Sequence, residues 1–508
     1  MNTSIRDLID SRARINATDT FLIDPVNGDV TTYAQAQKII ASIALYINNR
    51  GVRPQTSVAY AMHNGPDTAL CVLGIIYGGF RATAINLVAG NDTIAYVLEH
   101  SECSLVFTNR ESEDLVKQAR ANLSGIEIEI LDIDALPEAD PSHIAQHSLT
   151  AESDGLLMYT SGTTGRPKGV VLSHRSLLAG GHNTALGHEL TDADRALCVL
   201  PLYHINGLCV TLFGPLVSGG SVILPVRFST GKFWAWAAAN DCTWFSIVPT
   251  QLSYLLHASD DAVPLPAGHK IRFGRSASAP LSPEVHQAFE QKFDIPIVET
   301  MGLTETAAQI LSNPMPPGLR KIGSPGVAVG DEVMIADKQQ HSVAAGVEGE
   351  LLVKGDNVMS RYLKNPDATK EAITSGGWFR TGDLGKMDAD GYVFITGRLK
   401  ELIIKGGENI APREIDEALY RHPDVIEAAA FALNCKQYGQ RVEAAVMLAE
   451  QSSTDAVALL KLCESIVGKF KTPDCIHVMP ELPKGPSGKI QRIRLAELFE
   501  SKLTNDAP

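Results

Sequence analysis

The run from Gly155 to His174, GLLMYTSGTTGRPKGVVLSH, sets a loop of Ser, Thr, Gly and Lys between two apolar stretches. GLLMYT reads as a strand that feeds the loop, and the apolar GVVLSH follows it. Gly162, Gly165 and Gly169 permit the backbone to approach a ligand closely. Thr160, Ser161, Thr163, Thr164 and Lys168 supply donors suited to phosphate oxygens. Gly and Thr are also common in surface turns, but six consecutive loop residues of one chemical type speak against a plain turn. The G-x-x-x-x-G-K-[ST] order of a Walker A loop is absent.

Upstream of this loop, strand and helix patterns alternate. Residues 32–50 (TYAQAQKIIASIALYINNR) carry apolar residues at helical spacing, closed by Gly51. SVAYAMH, ATAINL and SLVFTN read as strands, DTALCVLGIIYGG as a buried helix and DTIAYVLEHS as a helix. This rhythm implies parallel sheet covered by helices. It returns at 194–260 with ALCVLPL, SVILP and TWFSIVP as strands, and with NGLCVTLFGPLVSGG as a Gly-rich helix. Across 325–398 the runs EVMIAD, GELLVKG and GYVFITG are punctuated by Gly and Asp, which predicts a small β-rich subdomain. A compact α+β pattern follows Gly397, with VIEAAAFAL and EAAVMLA as strands. The boundary is placed at 398/399, giving domains 1–398 and 399–508.

Bulk properties narrow the classes of function. A chain of 508 residues, 44% hydrophobic and 20% charged, has the composition of a globular protein of several subdomains. A net charge of −14 makes general binding to nucleic acid or anionic membrane a poor fit, so a polyanionic substrate needs locally concentrated positive charge. The eight cysteines form no C-x-x-C pair and mostly sit in apolar runs, which predicts buried free thiols in a cytoplasmic protein. The N-terminus lacks a signal-peptide apolar segment, and no apolar run is long enough for a membrane span. Oligomeric state is left open, a homo-oligomer included.

Seven segments together resemble the adenylate-forming superfamily, which includes acyl- and aryl-CoA synthetases, peptide-synthetase adenylation domains and beetle luciferases. They are Ser161–Gly169; Pro201-Leu202-Tyr203-His204-Ile205-Asn206-Gly207; Arg275-Ser276-Ala277-Ser278-Ala279; Thr300-Met301-Gly302-Leu303-Thr304-Glu305; Trp378-Phe379-Arg380-Thr381-Gly382-Asp383; Gly397-Arg398-Leu399-Lys400-Glu401, continuing to Lys405-Gly406-Gly407; and Pro483–Ile490 with Lys489. The resemblance covers about residues 32–494. It implies a large N-terminal α/β domain of stacked mixed and parallel sheets with helices, the β-rich subdomain, and a small mobile C-terminal α+β domain.

The resemblance also assigns roles. The 160–168 loop would guide the ATP phosphates, and Ser278 and Ala279 would border adenine, with Thr300, Met301 and Gly302 nearby. Met301 stands where the family usually has Tyr; a thioether can still pack softly against a purine. Thr304 would bond the α-phosphate and Glu305 would hold Mg²⁺, a hard cation suited to oxygen ligands. Asp383 would accept the ribose hydroxyls, and Arg398 would reach the ribose or phosphates. Lys400 would be the hinge, Lys405, Gly406 and Gly407 would line the pantetheine channel of coenzyme A, and Lys489 would be the catalytic lysine.

The implied activity joins a carboxylic acid to coenzyme A through an acyl-adenylate, releasing AMP and pyrophosphate. A carboxylate attacking the α-phosphate is an anion meeting an anion, so the site must neutralise charge where it develops. His204, Ser246 and Arg275 are the substrate candidates, with Val248, Glu299 and Met301 near them. Phe233-Trp234, Thr243-Trp244, the Arg275 segment and Ser312-Asn313-Pro314 look most like the oxalyl-CoA synthetase branch, which handles a small acid with a second anionic group. Such a dianion needs a cation at its far end, and Arg275 or His204 could supply it. Two alternatives stay open: a medium- or long-chain or aryl acid ligase, and a stand-alone protein that loads a carrier protein.

Overall fold

A computed structural model describes residues 3–139, 148–160, 166–258, 265–449, 452–485 and 489–505. Two large sheets carry most of the N-terminal part. The first has parallel strands Ser57–Ala61, Arg81–Ala84, Leu105–Thr108, Glu127–Ile130 and Asp154–Thr160, to which Lys168–Ser173 and then Arg361–Tyr362 add antiparallel. The glycine-threonine loop therefore connects two neighbouring antiparallel strands: Thr160 pairs with Lys168 and Tyr159 with Gly169.

The second sheet has parallel strands Thr20–Ile23, Ser221–Ile223, Arg195–Cys198, Trp244–Ile247, Phe273–Ser276 and Ile297–Leu303, and Ala308–Ser312 returns antiparallel beside the last. The sheets that the βαβ rhythm predicts as parallel are thus mixed, because each ends in a hairpin-like return instead of a crossover helix.

Helices Tyr33–Asn49 and Pro66–Tyr77 contribute to one large core that also takes residues from both sheets. The second is buried from Thr68 to Tyr77, as its apolar residues on all faces require. Pro66 suits its first turn. Gly74 lets the two helices touch: a Cβ there would lie 2.7 Å from Ile43. A further helix, Ile5–Ile15, was not anticipated. Ser4 caps it and Asp7 reaches back in a capping box, while Ile5, Leu8, Ile9 and Ala13 bury its apolar face.

Beyond the two sheets, Glu332–Ala336, Gly349–Lys354, Phe379–Met387 and Val393–Arg398 form an antiparallel four-stranded sheet. A five-stranded unit follows, built from Ile403–Lys405, Glu408–Ile410, Val425–Cys435, Gly439–Leu448 and Cys475–Val478, with helices Pro412–Tyr420, Ala456–Val467 and Arg492–Asn505. Six cysteines are buried as free thiols, Cys435 is partly exposed and Cys475 is exposed. No helix among the described residues is long and apolar enough to cross a membrane.

Candidate active site

Strand residues alternate sides, so every second side chain shares a face. In the second sheet Trp244 is level with Phe273, and Ser246 with Arg275. Their rings and polar groups line up accordingly. Trp244 stacks on Phe273 with centroids 5.6 Å apart, and one step along the strands Arg275 Nη1 donates to Ser246 Oγ at 3.0 Å. Val298 is level with Arg275, which puts Glu299 on the opposite face. Glu299 therefore faces away from Arg275, although its position near the motif had suggested a shared site. It is buried, and its Oε1 accepts from the Leu281 backbone at 3.3 Å. Burial pushes its carboxyl up.

A segment from Asn206 to Phe213 covers the Arg275 face. The expected helix over 206–220 is a π-helix here, followed by the short α-helix Gly214–Ser218. Thr211 Oγ1 bonds the Gly207 carbonyl at 2.5 Å inside it. Gly207 is required by packing: a Cβ would sit 2.4 Å from the Pro201 carbonyl oxygen. The motif glycine thus lets the turn after Pro201 fold back, and this aims Asn206 at the strands below. Asn206 Oδ1 accepts from Arg275 Nη1 at 2.8 Å and from Ser246 Oγ at 3.1 Å. Arg275 Nε reaches Gln309 Oε1 at 3.4 Å.

Arg275 is 1% exposed, and no carboxylate among the described residues pairs with it. Burial pushes its guanidinium down to about 9, still protonated near neutrality. Buried His188 lies beside it, its ring 5.2 Å from that of Phe273; burial and then the charge of Arg275 hold its imidazole well below the usual range, hence neutral. His204 lies two residues before the covering segment, its ring 4.9 Å from Tyr203.

The second group lies around Glu305. Tyr362 Oη donates to Glu305 Oε1 at 2.9 Å, and the Glu305 carbonyl accepts from the Met359 backbone at 2.7 Å. Lys168 Nζ sits 4.4 Å from the centre of the Tyr362 ring. Thr304 follows the strand that carries Thr300, Met301 and Gly302; a Cβ on Gly302 would overlap the Ala308 carbonyl oxygen at 1.8 Å. Met301 is partly buried against the core that includes Ile310 and Leu311. The donor set fits Mg²⁺: one carboxylate and an adjacent hydroxyl, with no cluster of three or more His, Cys, Asp or Glu among the described residues. Magnesium is commonly held by one or two carboxylates with phosphates and water completing its shell.

Third, Asp383 is buried, and Arg398 grips both its oxygens, Nε to Oδ1 at 2.6 Å and Nη2 to Oδ2 at 3.3 Å. Lys489 Nζ is 3.7 Å from Glu401. Its pKa is pushed down by burial first and by Arg398 and Arg492 next, against the pull of Glu401 and Asp383. One cleft brings Lys489 and Arg413 opposite Val248, Ser278 and Ala279. Ser278 stands there with φ +73°, a left-handed conformation uncommon outside glycine.

Residues 9–363 match the AMP-binding enzyme family and residues 414–489 match the AMP-binding enzyme C-terminal domain. The chain belongs to the AMP-binding enzyme family. It is 45% identical to the sulfoacetate–CoA ligase of Cupriavidus necator, over 94% of each chain. To the oxalate–CoA ligase of Arabidopsis thaliana it is 34% identical, over 93% of this chain and 94% of that one. ATP-bound MatB from Rhodopseudomonas palustris aligns with a TM-score of 0.89 at 28% identity, covering 99% of this chain and all of that one. Apo MatB aligns at 0.77. This AMP-binding enzyme is an acid–thiol ligase of the AMP-forming kind.

In this AMP-binding enzyme, sequence reading picked out Arg275, Ser246, Glu305, Asp383, Arg398 and Lys489 but not the side chains that hold them. Asn206, Gln309, Tyr362 and Glu401 are those holders. Asn206 and Glu401 sat inside quoted motifs; Tyr362 lies 57 residues from Glu305 and carries no local signal. Lys400 is exposed in the turn after Val393–Arg398. The partners of Lys405 are within the C-terminal unit, the Phe470 carbonyl at 3.2 Å and Asp474 at 3.5 Å, and Gly406 and Gly407 take positive φ beside it. Ser161, Gly162, Thr163, Thr164 and Gly165 lie outside the described residues; Thr160 and Lys168 flank them as a cross-strand pair.

Proposed function

We propose that this enzyme activates a short acid carrying a second anionic group, of the sulfoacetate, oxalate or malonate kind, and transfers it to coenzyme A. The carrying observation is Arg275: a buried cation whose hydrogen-bond partners, Asn206, Ser246 and Gln309, are all neutral. A desolvated guanidinium without a counter-charge is costly, and a substrate anion would offset that cost. The relatives named for sulfoacetate and oxalate support the same class of acid.

In the first half-reaction a carboxylate oxygen of the acid bonds to the α-phosphorus of ATP and the bond to pyrophosphate breaks. Lys489 would stabilise charge between the incoming carboxylate and the α-phosphate, while Thr304 and Lys168 bond phosphate oxygens. Asp383, oriented by Arg398, would accept the ribose hydroxyls. Ser278 and Ala279 would flank adenine with Thr300, Met301 and Gly302, and His204 would close the acid pocket. Mg²⁺, when bound by Glu305 with Tyr362 behind it, would neutralise phosphate charge.

In the second half-reaction the thiol sulfur bonds to the acyl carbon, the bond to AMP breaks and the thiol proton is released. The 399–508 domain would turn about Lys400 between the two steps, withdrawing Lys489 and bringing Lys405–Gly407 to the pantetheine arm. We place the domain boundary at 398/399 and the enzyme in the cytoplasm. The test is AMP and thioester formation with ATP, Mg²⁺, coenzyme A and each of several acids. Preference for sulfoacetate, oxalate or malonate is expected; preference for octanoate or 4-coumarate would refute the short-dianion reading.

A further inference from the structure

The other arginine buried among the described residues, Arg81, is matched to a carboxylate, donating to Asp154 at 3.1 Å. The partly exposed Arg398 likewise holds Asp383 at 2.6 Å. Arg275 is the exception in its surroundings, and Asn206 is the reason. Its amide oxygen occupies the place where a carboxylate oxygen would make an ordinary ion pair, 2.8 Å from Arg275 Nη1. The same oxygen accepts from Ser246 Oγ at 3.1 Å, and the amide nitrogen donates to Ser278 Oγ at 3.0 Å. Asn206 is itself buried, 7% exposed, within a π-helix whose register Gly207 fixes. Its amide is thus held with oxygen toward the cation and nitrogen toward Ser278. A carboxylate has the same shape but cannot donate to Ser278 and would cancel the charge of Arg275.

We infer that Asn206 is a selectivity residue: it positions Arg275 while withholding a counter-charge, so that the guanidinium pairs with the distal anionic group of the substrate acid. The bond to Ser278 ties this pocket to the cleft that Lys489 also lines. Asn206 acts through Arg275, and its effect is on choice between acids more than on turnover. This inference rests on the short-dianion reading above.

The test compares sulfoacetate with methylsulfonylacetate, nearly the same in shape but lacking the second charge. Wild type, Asn206→Asp and Asn206→Leu are assayed for kcat/KM in AMP formation, with thermal unfolding as a check on folding. Asn206→Asp should reduce the preference for sulfoacetate by at least about 30-fold, the effect of internally pairing a desolvated charge. Asn206→Leu, which loses bonds but adds no charge, should keep the preference within about threefold. Ser246→Asp delivers a carboxylate to the same guanidinium from the neighbouring strand, so it should repeat the Asp effect if Asn206→Asp does not fold. Equal falls for both acids in the Asp variants, or loss of preference in Asn206→Leu as well, would overturn the inference. A wild-type enzyme that uses the two acids alike would overturn the short-dianion reading itself.

Discussion

Replacing Arg275 by methionine tests charge recognition and fold stability separately. The side chain is nearly isovolumetric along its stem and apolar at its end, so it fills much of the same space. For a dianionic acid it removes the partner of a desolvated anion, a change worth about 2–5 kcal/mol. That converts to a loss of roughly 30-fold to several thousand-fold in kcat/KM. For methylsulfonylacetate the distal group is neutral, so the loss should stay within about tenfold.

Stability should respond differently. Burial lowers the guanidinium from its ordinary range to about 9, a desolvation cost of several kcal/mol that methionine does not carry. Against this, Gln309 Oε1 and part of the capacity of Asn206 Oδ1 lose a donor, costing about 1–3 kcal/mol. The net change should be within about 2 kcal/mol in either direction. The pH signature is sharper. From about pH 9 up to the ordinary guanidinium range the native protein binds fewer protons at Arg275 than the unfolded chain, so this residue makes stability rise with pH there. Arg275→Met should lack that contribution. The assay is initial-rate AMP release with both acids, alongside denaturant unfolding at pH 8 and pH 10. Equal losses with the two acids, or full activity with sulfoacetate, would refute the reasoning.

Other substitutions probe the remaining parts. Lys489→Ala should slow single-turnover adenylation at least about 100-fold while thioester formation from supplied acyl-adenylate persists; Lys400→Pro, by restricting φ at the hinge, should do the reverse. Equal damage to both steps in either variant would contradict the two-position account. Tyr362→Phe removes the hydroxyl on Glu305 and should raise the Mg²⁺ concentration needed for half-maximal rate by about 3- to 10-fold, measured by titrating Mg²⁺ at fixed ATP. Asp331 is pushed up to about 7 by burial, against the bonds from Asn183 at 3.0 Å and Asn357 at 2.7 Å. Its native form binds more protons than the unfolded chain between pH 3.8 and about 7, so its contribution to stability falls as pH rises through that window. Asp331→Asn should therefore gain about 1 kcal/mol relative to wild type at pH 8 and little at pH 4.5, read by denaturant unfolding.

The backbone frame was legible because its signals are local. Ser57–Ala61 and Thr68–Tyr77 are short apolar runs of strand and helix length, and the glycine-threonine loop sits between two further apolar strands, Asp154–Thr160 and Lys168–Ser173. The Ile5–Ile15 helix had a readable start at Ser4 and Asp7, but its mean character is polar and its buried residues make sense only against the helices it meets. Nothing in NGLCVTLF separates a π-helix from an α-helix, since the run is mostly apolar and the difference lies in backbone hydrogen bonding. The apolar pattern alone does not mark the antiparallel return strands, because pattern reports burial, not direction; the mixed sheets came from the family resemblance.

At the site, residue types inside motifs were legible and their partnerships were not. Arg275 meets residues 69, 29 and 34 positions away, brought together by strand register and by the segment above it. The parity that separates Arg275 from Glu299 follows from pairing Val298 with Arg275, a fact of register that neither strand contains alone.

The most direct measurement of the central claim is initial-rate formation of AMP and CoA thioester by the wild-type enzyme with ATP, Mg²⁺ and coenzyme A, across oxalate, malonate, sulfoacetate, acetate, octanoate and 4-coumarate. Stoichiometric AMP and thioester are expected, with kcat/KM highest for one of the three dianions. Thioester formed best from octanoate or 4-coumarate would contradict the role of Arg275, and AMP release without any thioester would contradict transfer to coenzyme A.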